Sequence, residues 1–306
     1  MDRLIEKIVE YKNPTVAGLD PKLEYVPEYI KEACYKKYGK TLEAAAAALF
    51  EFNKALIDAL YDIVPAVKPQ AAYYEMYGWQ GVKALYDTIA YAKSKGMYVI
   101  TDAKRNDIGT TMQAYATAHL GVTDIDGDEA EAFGADALTV NGYLGSDGIN
   151  PLLDICKEKD KSIFVLVKTS NPSSGELQDK KIDDKTVYET MGGMCESWGE
   201  GLTGKYGYSS VGAVVGATYP EMLGELREKL PHTFFLVPGY GAQGGGAEDV
   251  KYAFDKNGVG AVINSSRGIM RAWKKIEGAT ERDFAKEARN EAVRMRDDIR
   301  KVISNQ

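Results

Sequence analysis

The chain has 306 residues, 44% of them hydrophobic and 27% charged, with a net charge of −7, which fits a soluble globular protein with a sizeable core. The acidic balance, with no basic stripe, excludes nucleic acid as the main partner, and no window approaches the about 18 uninterrupted apolar residues of a membrane span. The three cysteines, Cys34, Cys156 and Cys195, are odd in number and widely spaced; they read as reduced thiols of a cytoplasmic protein, and neither as a disulfide frame nor as a zinc site.

In chain order, the start "MDRLIEKIVEYKNP" mixes acids and bases in an amphipathic pattern and is not a secretory signal. "TVAGL" (15–19) reads as a first strand, and residues 21–40 lengthen the connection after it. "TLEAAAAALFEFNKALIDALYDI" (41–63) is strong helix former. Further strands are expected at 65–69, 97–103, 136–141, 162–169, 211–217, 234–238 and 261–266, with helical patterns between them such as "YPEMLGELREKL" (219–230). A polar loop at 170–186 follows the fifth strand. A C-terminal segment, 277–306, carries a helix whose charges alternate in sign, as on a solvated face.

Near-continuous apolar strands alternating with helices imply parallel strands covered on the outside. Eight βα units over one domain, 1–306, predict an α/β fold of the (β/α)8 TIM-barrel type with extra helical segments at 21–40 and 277–306; a doubly wound sheet is the alternative. There is no internal repeat, low-complexity tract or domain linker. Of the two histidines, His119 falls in a helical pattern and His232 before a strand; both read as structural or solvated, which argues against histidine triads and multi-histidine metal sites.

In such a barrel the active site lies at the C-terminal strand ends, and there the unusual polar residues gather. Asp20 follows "VAGL", Lys68 sits in "AVKPQ", Asp102 and Lys104 close "YVITDAK", Lys168 and Ser170 close "FVLVKTS", and Arg267 follows "VINSS". Asp102 and Lys104 are two apart, so on a strand they share a face. A buried ion pair would explain them blandly. Lys68 on the neighbouring strand and Asp107 in the next loop would extend them into a Lys–Asp–Lys–Asp array with coupled titrations, in which a charged lysine beside a nascent carbanion is a proton donor. Arg105 points to the opposite face. The glycines of "VPGYGAQGGGAEDV" leave the backbone free to aim N–H groups at one point, and a helix starting near Ala247 would add its N-terminal dipole. That stretch is either a plain flexible loop or a phosphate site, and Arg267, one strand later, favours the phosphate. It is not a Walker A loop.

Seven stretches in order, "AGLDP", "AVKPQAAYYE", "TDAKRNDIGTT", "VKTSNPS", "AVVGATYPE", "VPGYGAQGG" and "SSRGI", resemble the orotidine 5′-phosphate decarboxylase family, in its longer bacterial-type (type 2) subgroup. The chain departs from that subgroup at Asn106 and Thr110, where Gly and Ser are common; Asn tolerates left-handed backbone. The resemblance implies a (β/α)8 carboxy-lyase that converts orotidine 5′-monophosphate to UMP and CO2 in de novo pyrimidine synthesis, without metal or organic cofactor. By the same resemblance Asp102 faces the substrate carboxylate, Lys104 protonates C6, and Lys68 orients Asp102 and bonds the ribose. Asp20 takes a ribose hydroxyl and Ser170 reads the pyrimidine edge. Gln243, the backbone around Gly244 and Gly245, and Arg267 hold the phosphate, and Pro238 is a further substrate-binding residue. It further implies a homodimer in which Asp107, Ile108 and Thr111 serve the partner's site.

Two rivals stand against this. A magnesium-dependent sugar-phosphate decarboxylase or aldolase of the same superfamily would carry an acidic metal ligand on its second strand, where this chain has Lys68, whose ammonium repels Mg²⁺. A non-catalytic nucleotide-binding protein would have no reason to keep both lysines.

Overall fold

The computed structural model describes residues 1–241 and 246–304. Eight strands, β1 (Thr15–Leu19), β2 (Ala66–Pro69), β3 (Tyr98–Arg105), β4 (Ala137–Val140), β5 (Ser162–Lys168), β6 (Val211–Val215), β7 (Phe235–Val237) and β8 (Ala261–Ser265), close into one barrel in chain order. Every pairing is parallel, and β8 returns to β1 with Thr15 opposite Ile263. The predicted barrel is therefore the observed one, with strand limits that agree to within about two residues, and the doubly wound alternative is set aside.

Alternation along each strand divides the apolar residues into two sets. Val16, Ala66, Tyr98, Ile100, Ala137, Phe164, Phe234, Leu236 and Val262 fill the interior. Residues at the alternate positions, such as Val67, Val99, Ile163 and Val165, pack outward on the helices. Phe164 needs Gly212 on the adjacent strand: a Cβ there would lie 2.6 Å from the Phe164 ring. The amphipathic start of the chain forms the helix Asp2–Tyr11, and its Leu4, Ile5 and Ile8 join the interior cluster. That helix therefore plugs the N-terminal end and leaves the polar C-terminal mouth as the open one.

The outer layer follows from sequence in the same way. Helix Leu42–Leu60 begins at Thr41, whose hydroxyl accepts from the Ala44 N–H. The C-terminal helix Phe284–Ile303 has two faces. Phe284, Ala288, Ala292, Met295 and Ile299 are buried, with Phe284 stacked on Phe52 at 5.0 Å, whereas Arg294 pairs with Glu291 and Asp298 on the solvated side. The extra segment 21–40 holds a 3-10 turn, Leu23–Tyr25, and helix Glu28–Tyr38, which bury Tyr25, Val26, Ile30 and Cys34. A short antiparallel ribbon, Thr123–Ile125 with Asp128–Ala130, was not expected. Its signal is Asp126-Gly127, both at positive φ (55° and 100°), the requirement of a tight hairpin turn. Cys34, Cys156 and Cys195 are buried free thiols. No described helix is long and apolar enough to cross a membrane.

Candidate active site

The strand ends bring three charges together. Lys68, at the end of β2, places Nζ 2.5 Å from Asp102 Oδ2, and Lys104 places Nζ 2.6 Å from Asp102 Oδ1. Lys68 and Asp102 are nearly inaccessible, while the Lys104 side chain is 44% exposed at the mouth. Burial alone would raise the Asp102 pKa, but the two ammonium groups outweigh it and hold this carboxyl well below the usual carboxylate range. Burial likewise opposes charge on Lys68, and the carboxylates of Asp102 and Asp20 overturn that penalty and raise its pKa. Asp102 and Lys68 therefore both stay ionised at neutral pH, and the low-dielectric setting strengthens the field they set at the mouth.

The route by which Lys104 reaches Asp102 differs from simple strand alternation. Pairing between β3 and β4 runs Ile100 to Ala137 and Thr101 to Leu138, then jumps to Arg105 with Val140. Residues 102–104 thus oppose Thr139 alone, which makes a bulge. Lys104 takes up left-handed backbone, φ 49°, a conformation a non-glycine residue holds only when its surroundings enforce it. The Thr139 hydroxyl accepts from the Lys104 N–H at 3.0 Å and donates to Asp102 Oδ1 at 2.9 Å. Thr139 escaped sequence reading because only register reveals it; its one signal is a hydroxyl at an inward position of an otherwise apolar strand.

A cavity of about 380 Å³ opens beside this cluster, lined by Asp20, Lys68, Asp102, Pro238 and Arg267 among others; Lys104 stands next to it without being one of the lining residues. Asn264 on β8 was also missed by sequence reading. It is buried and lines the same cavity, and its Oδ1, like the Oδ1 of Asp20, has no hydrogen-bond partner among the described residues. Gly18 is needed here, because a Cβ there would lie 1.9 Å from Ser266 Oγ. Two orphaned acceptors beside an ammonium suit a ligand that brings hydroxyl donors.

The other predicted residues lie elsewhere. Asp107 is half-buried, and its carboxylate accepts from the Ile108 N–H at 2.8 Å. Among the described residues it pairs with neither lysine, so within one chain the array has three members rather than four. The cause is local: β3 ends at Arg105, and the chain turns away into helix Gly109–Leu120. Ile108 and Thr111 are exposed. Ser170 is half-buried against Gly216 and does not line the cavity. Lys168 points away from the array: wholly buried, it meets Asp179 at 2.5 Å and Ser174 at 3.2 Å. Gln243, Gly244 and Gly245 lie outside the described residues. The helix expected near Ala247 is a single turn, Ala247–Val250, and the Gly246 N–H before it is taken by Asp249 at 2.7 Å. The expected contribution of a helix dipole is corrected accordingly, since one turn sums few peptide dipoles. Arg105 pairs with Glu75 at 2.6 Å, off the site as expected. His119 stacks on Phe133, and His232 sits near the surface against Gly207 O, so neither histidine reaches the strand ends. Among the described residues no three His, Cys, Asp or Glu side chains gather as metal ligands would.

Residues 39–281 match the model of the "Orotidine 5'-phosphate decarboxylase / HUMPS family". The chain is 45% identical over 289 residues to an orotidine 5'-phosphate decarboxylase of Rhodopirellula baltica, covering 94% of each chain. It is 42% identical over 303 residues to that of Caldicellulosiruptor bescii, covering 99% of this chain and 98% of the relative. Among solved structures, OMP decarboxylase of Leishmania donovani superposes with a TM-score of 0.71 at 33% identity, over 96% of this chain and 98% of that one. UMP synthase of the same organism superposes with a TM-score of 0.73 at 34% identity, and there the chain spans only 56% of the longer protein. With a family match over most of its length and relatives this close, the chain belongs to the orotidine 5′-phosphate decarboxylase family.

Proposed function

We propose that the site converts orotidine 5′-monophosphate to UMP and CO2 with no metal and no organic cofactor, and that Lys104 is the proton donor. The observation that carries this reading is the Lys68–Asp102–Lys104 cluster at the strand ends, whose buried Lys68 and Asp102 line the cavity and whose Lys104 is its one exposed member. The C6–carboxylate bond breaks, its electron pair stays on C6, and a proton moves from Lys104 Nζ to that carbon. Nothing in the ring stabilises a C6 carbanion well, so a cation fixed where the charge develops lowers the barrier selectively. Asp102, ionised by its two lysines, holds Lys104 in place and faces the substrate carboxylate. Lys68 bonds the ribose as well as Asp102, and Asp20 accepts from a ribose hydroxyl, in keeping with its unpaired buried oxygen.

Arg267 lines the same cavity and supplies a cation for the phosphate; Gln243, Gly244 and Gly245, which the resemblance also assigns to the phosphate, lie outside the described residues. Ser170 reads the pyrimidine edge. Asp107, which reaches neither lysine of its own chain, serves the site of a partner subunit together with Ile108 and Thr111. The exposed apolar side chains of Ile108, Tyr143 and Leu144 suit such an interface. The buried Lys68 ammonium opposes a divalent cation at this position.

The test is the loss of orotidine monophosphate absorbance on adding protein, with and without EDTA. Turnover unchanged by EDTA supports the reading. Strict magnesium dependence points instead to a sugar-phosphate decarboxylase or aldolase, and UMP binding without turnover to a nucleotide-binding protein.

A further inference from the structure

We infer that Thr139 is a positioning residue for decarboxylation, acting through both Asp102 and the backbone of Lys104; this rests on the function proposed above. A hydroxyl has one proton to give. Because Thr139 Oγ1 accepts the Lys104 N–H at 3.0 Å, its own proton is committed to Asp102 Oδ1 at 2.9 Å. One side chain thereby couples the left-handed turn of the proton donor to the orientation of the carboxylate that holds that donor's ammonium group.

The sheet explains why a side chain is required. At the register jump between Thr101 and Arg105 the Lys104 N–H is bonded by the Thr139 hydroxyl, whereas regular pairing resumes with Asn141 N–H donating to Arg105 O at 3.0 Å. The Thr139 hydroxyl thus serves the Lys104 N–H as a carbonyl would in a regular ladder. It is 1% exposed, so water does not readily substitute for it, and an unsatisfied N–H there would be costly. Without that acceptor, Lys104 has less to hold φ at 49°. Its ammonium group then samples positions off the C6 axis, and Asp102 loses one of its three donors while keeping both lysines.

The test compares Thr139→Val, which keeps shape and removes the hydroxyl, with Thr139→Ser, which keeps the hydroxyl and removes a methyl. In Thr139→Val, kcat is expected to fall about 10²-fold while UMP affinity stays within about 3-fold, because the phosphate and ribose contacts are untouched. Thr139→Ser is expected to recover most of that loss. Amide hydrogen exchange at Lys104 in the unliganded protein reads the geometry without any turnover: protected in wild type and Thr139→Ser, fast in Thr139→Val. A Lys104 amide equally protected in Thr139→Val, or a serine variant as slow as the valine one, overturns the inference. Failure of wild type to decarboxylate orotidine monophosphate would instead count against the proposed function, and the exchange comparison would still decide the role of the hydroxyl.

Discussion

Lys104 reaches Asp102 at 2.6 Å through left-handed backbone, φ 49°, and not through the even alternation of a strand. The contact is built by a bulge, and bulges next to active sites re-aim side chains. Here the bulge turns a strand-end lysine from a pairing partner into a half-exposed group at the end of β3, with its ammonium held by Asp102, which lines the cavity.

Replacing that ammonium group tests the chemistry most directly. Lys104→Ala is expected to lower kcat by at least ~10³-fold, because it removes both the proton donor and the charge at C6. UMP binding, measured by calorimetry, should survive, since Lys68, Asp20 and Arg267 remain. Near-normal turnover would remove Lys104 from the role of donor.

A second expectation concerns Lys168 and Asp179, whose ion pair ties the end of β5 to the loop that follows. The two partners differ sharply in burial: the lysine side chain is wholly inaccessible, and the aspartate is 41% exposed. Asp179→Ala leaves an ammonium group buried with, among the described residues, Ser174 and the rings of Tyr188 and Tyr219 as its remaining partners, a change that costs about 3 kcal/mol or more. Lys168→Met leaves a carboxylate that water can reach, and should cost roughly 1 kcal/mol or less. Urea unfolding of the two variants distinguishes them, and equal losses would contradict the asymmetry.

The pH dependence of stability has a separable histidine component. Burial, with the Arg105 charge adding to it, pushes His119 down to about 4 from an ordinary value of 6.5. Between those values the unfolded chain binds the proton and the folded chain does not. The stabilisation is therefore fully present above pH 6.5 and declines as pH falls toward 4, by on the order of 3 kcal/mol in total. Asp102, with its depressed pKa, loses its own contribution only at still lower pH, below the ordinary carboxylate range. His119→Phe preserves a ring against Phe133 and loses no hydrogen bond of Nδ1, which has none. Its stability should fall less than that of wild type between pH 6.5 and 5. Identical slopes for the two proteins would show that His119 does not titrate as its burial demands.

Sequence made the barrel legible because its signal is repetition: eight short, mostly apolar runs alternating with helical patterns. The site was legible where one chemistry fell at one strand end, as with Asp20, Lys68, Asp102 and Arg267. It was less so where geometry depended on register or on distant chain. Thr139 matters only because three residues of β3 face it, and Asn264 only because Gly18 leaves room beside it. Lys168 was one of the polar residues gathered at the strand ends, and its partner, Asp179, is supplied by the polar loop 170–186. Asp107 is the opposite case, since spacing alone put it in the array of its own chain and the turn after Arg105 took it out.

That isolation of Asp107 yields the last expectation. Lys104→Ala and Asp107→Ala chains should each be nearly inactive if both groups belong to every complete site. If Asp107 serves the partner's site, a hybrid dimer contains one site with both residues intact and one site lacking both. Random exchange of equal amounts makes half the dimers hybrid, so the mixture should recover roughly a quarter of wild-type activity per chain. Activity is followed after mixing, and exchange is verified by native mass spectrometry with one chain isotopically heavy. Full exchange without recovery would place Asp107 in the site of its own chain, and its carboxylate would then have to leave the Ile108 N–H to reach Lys104.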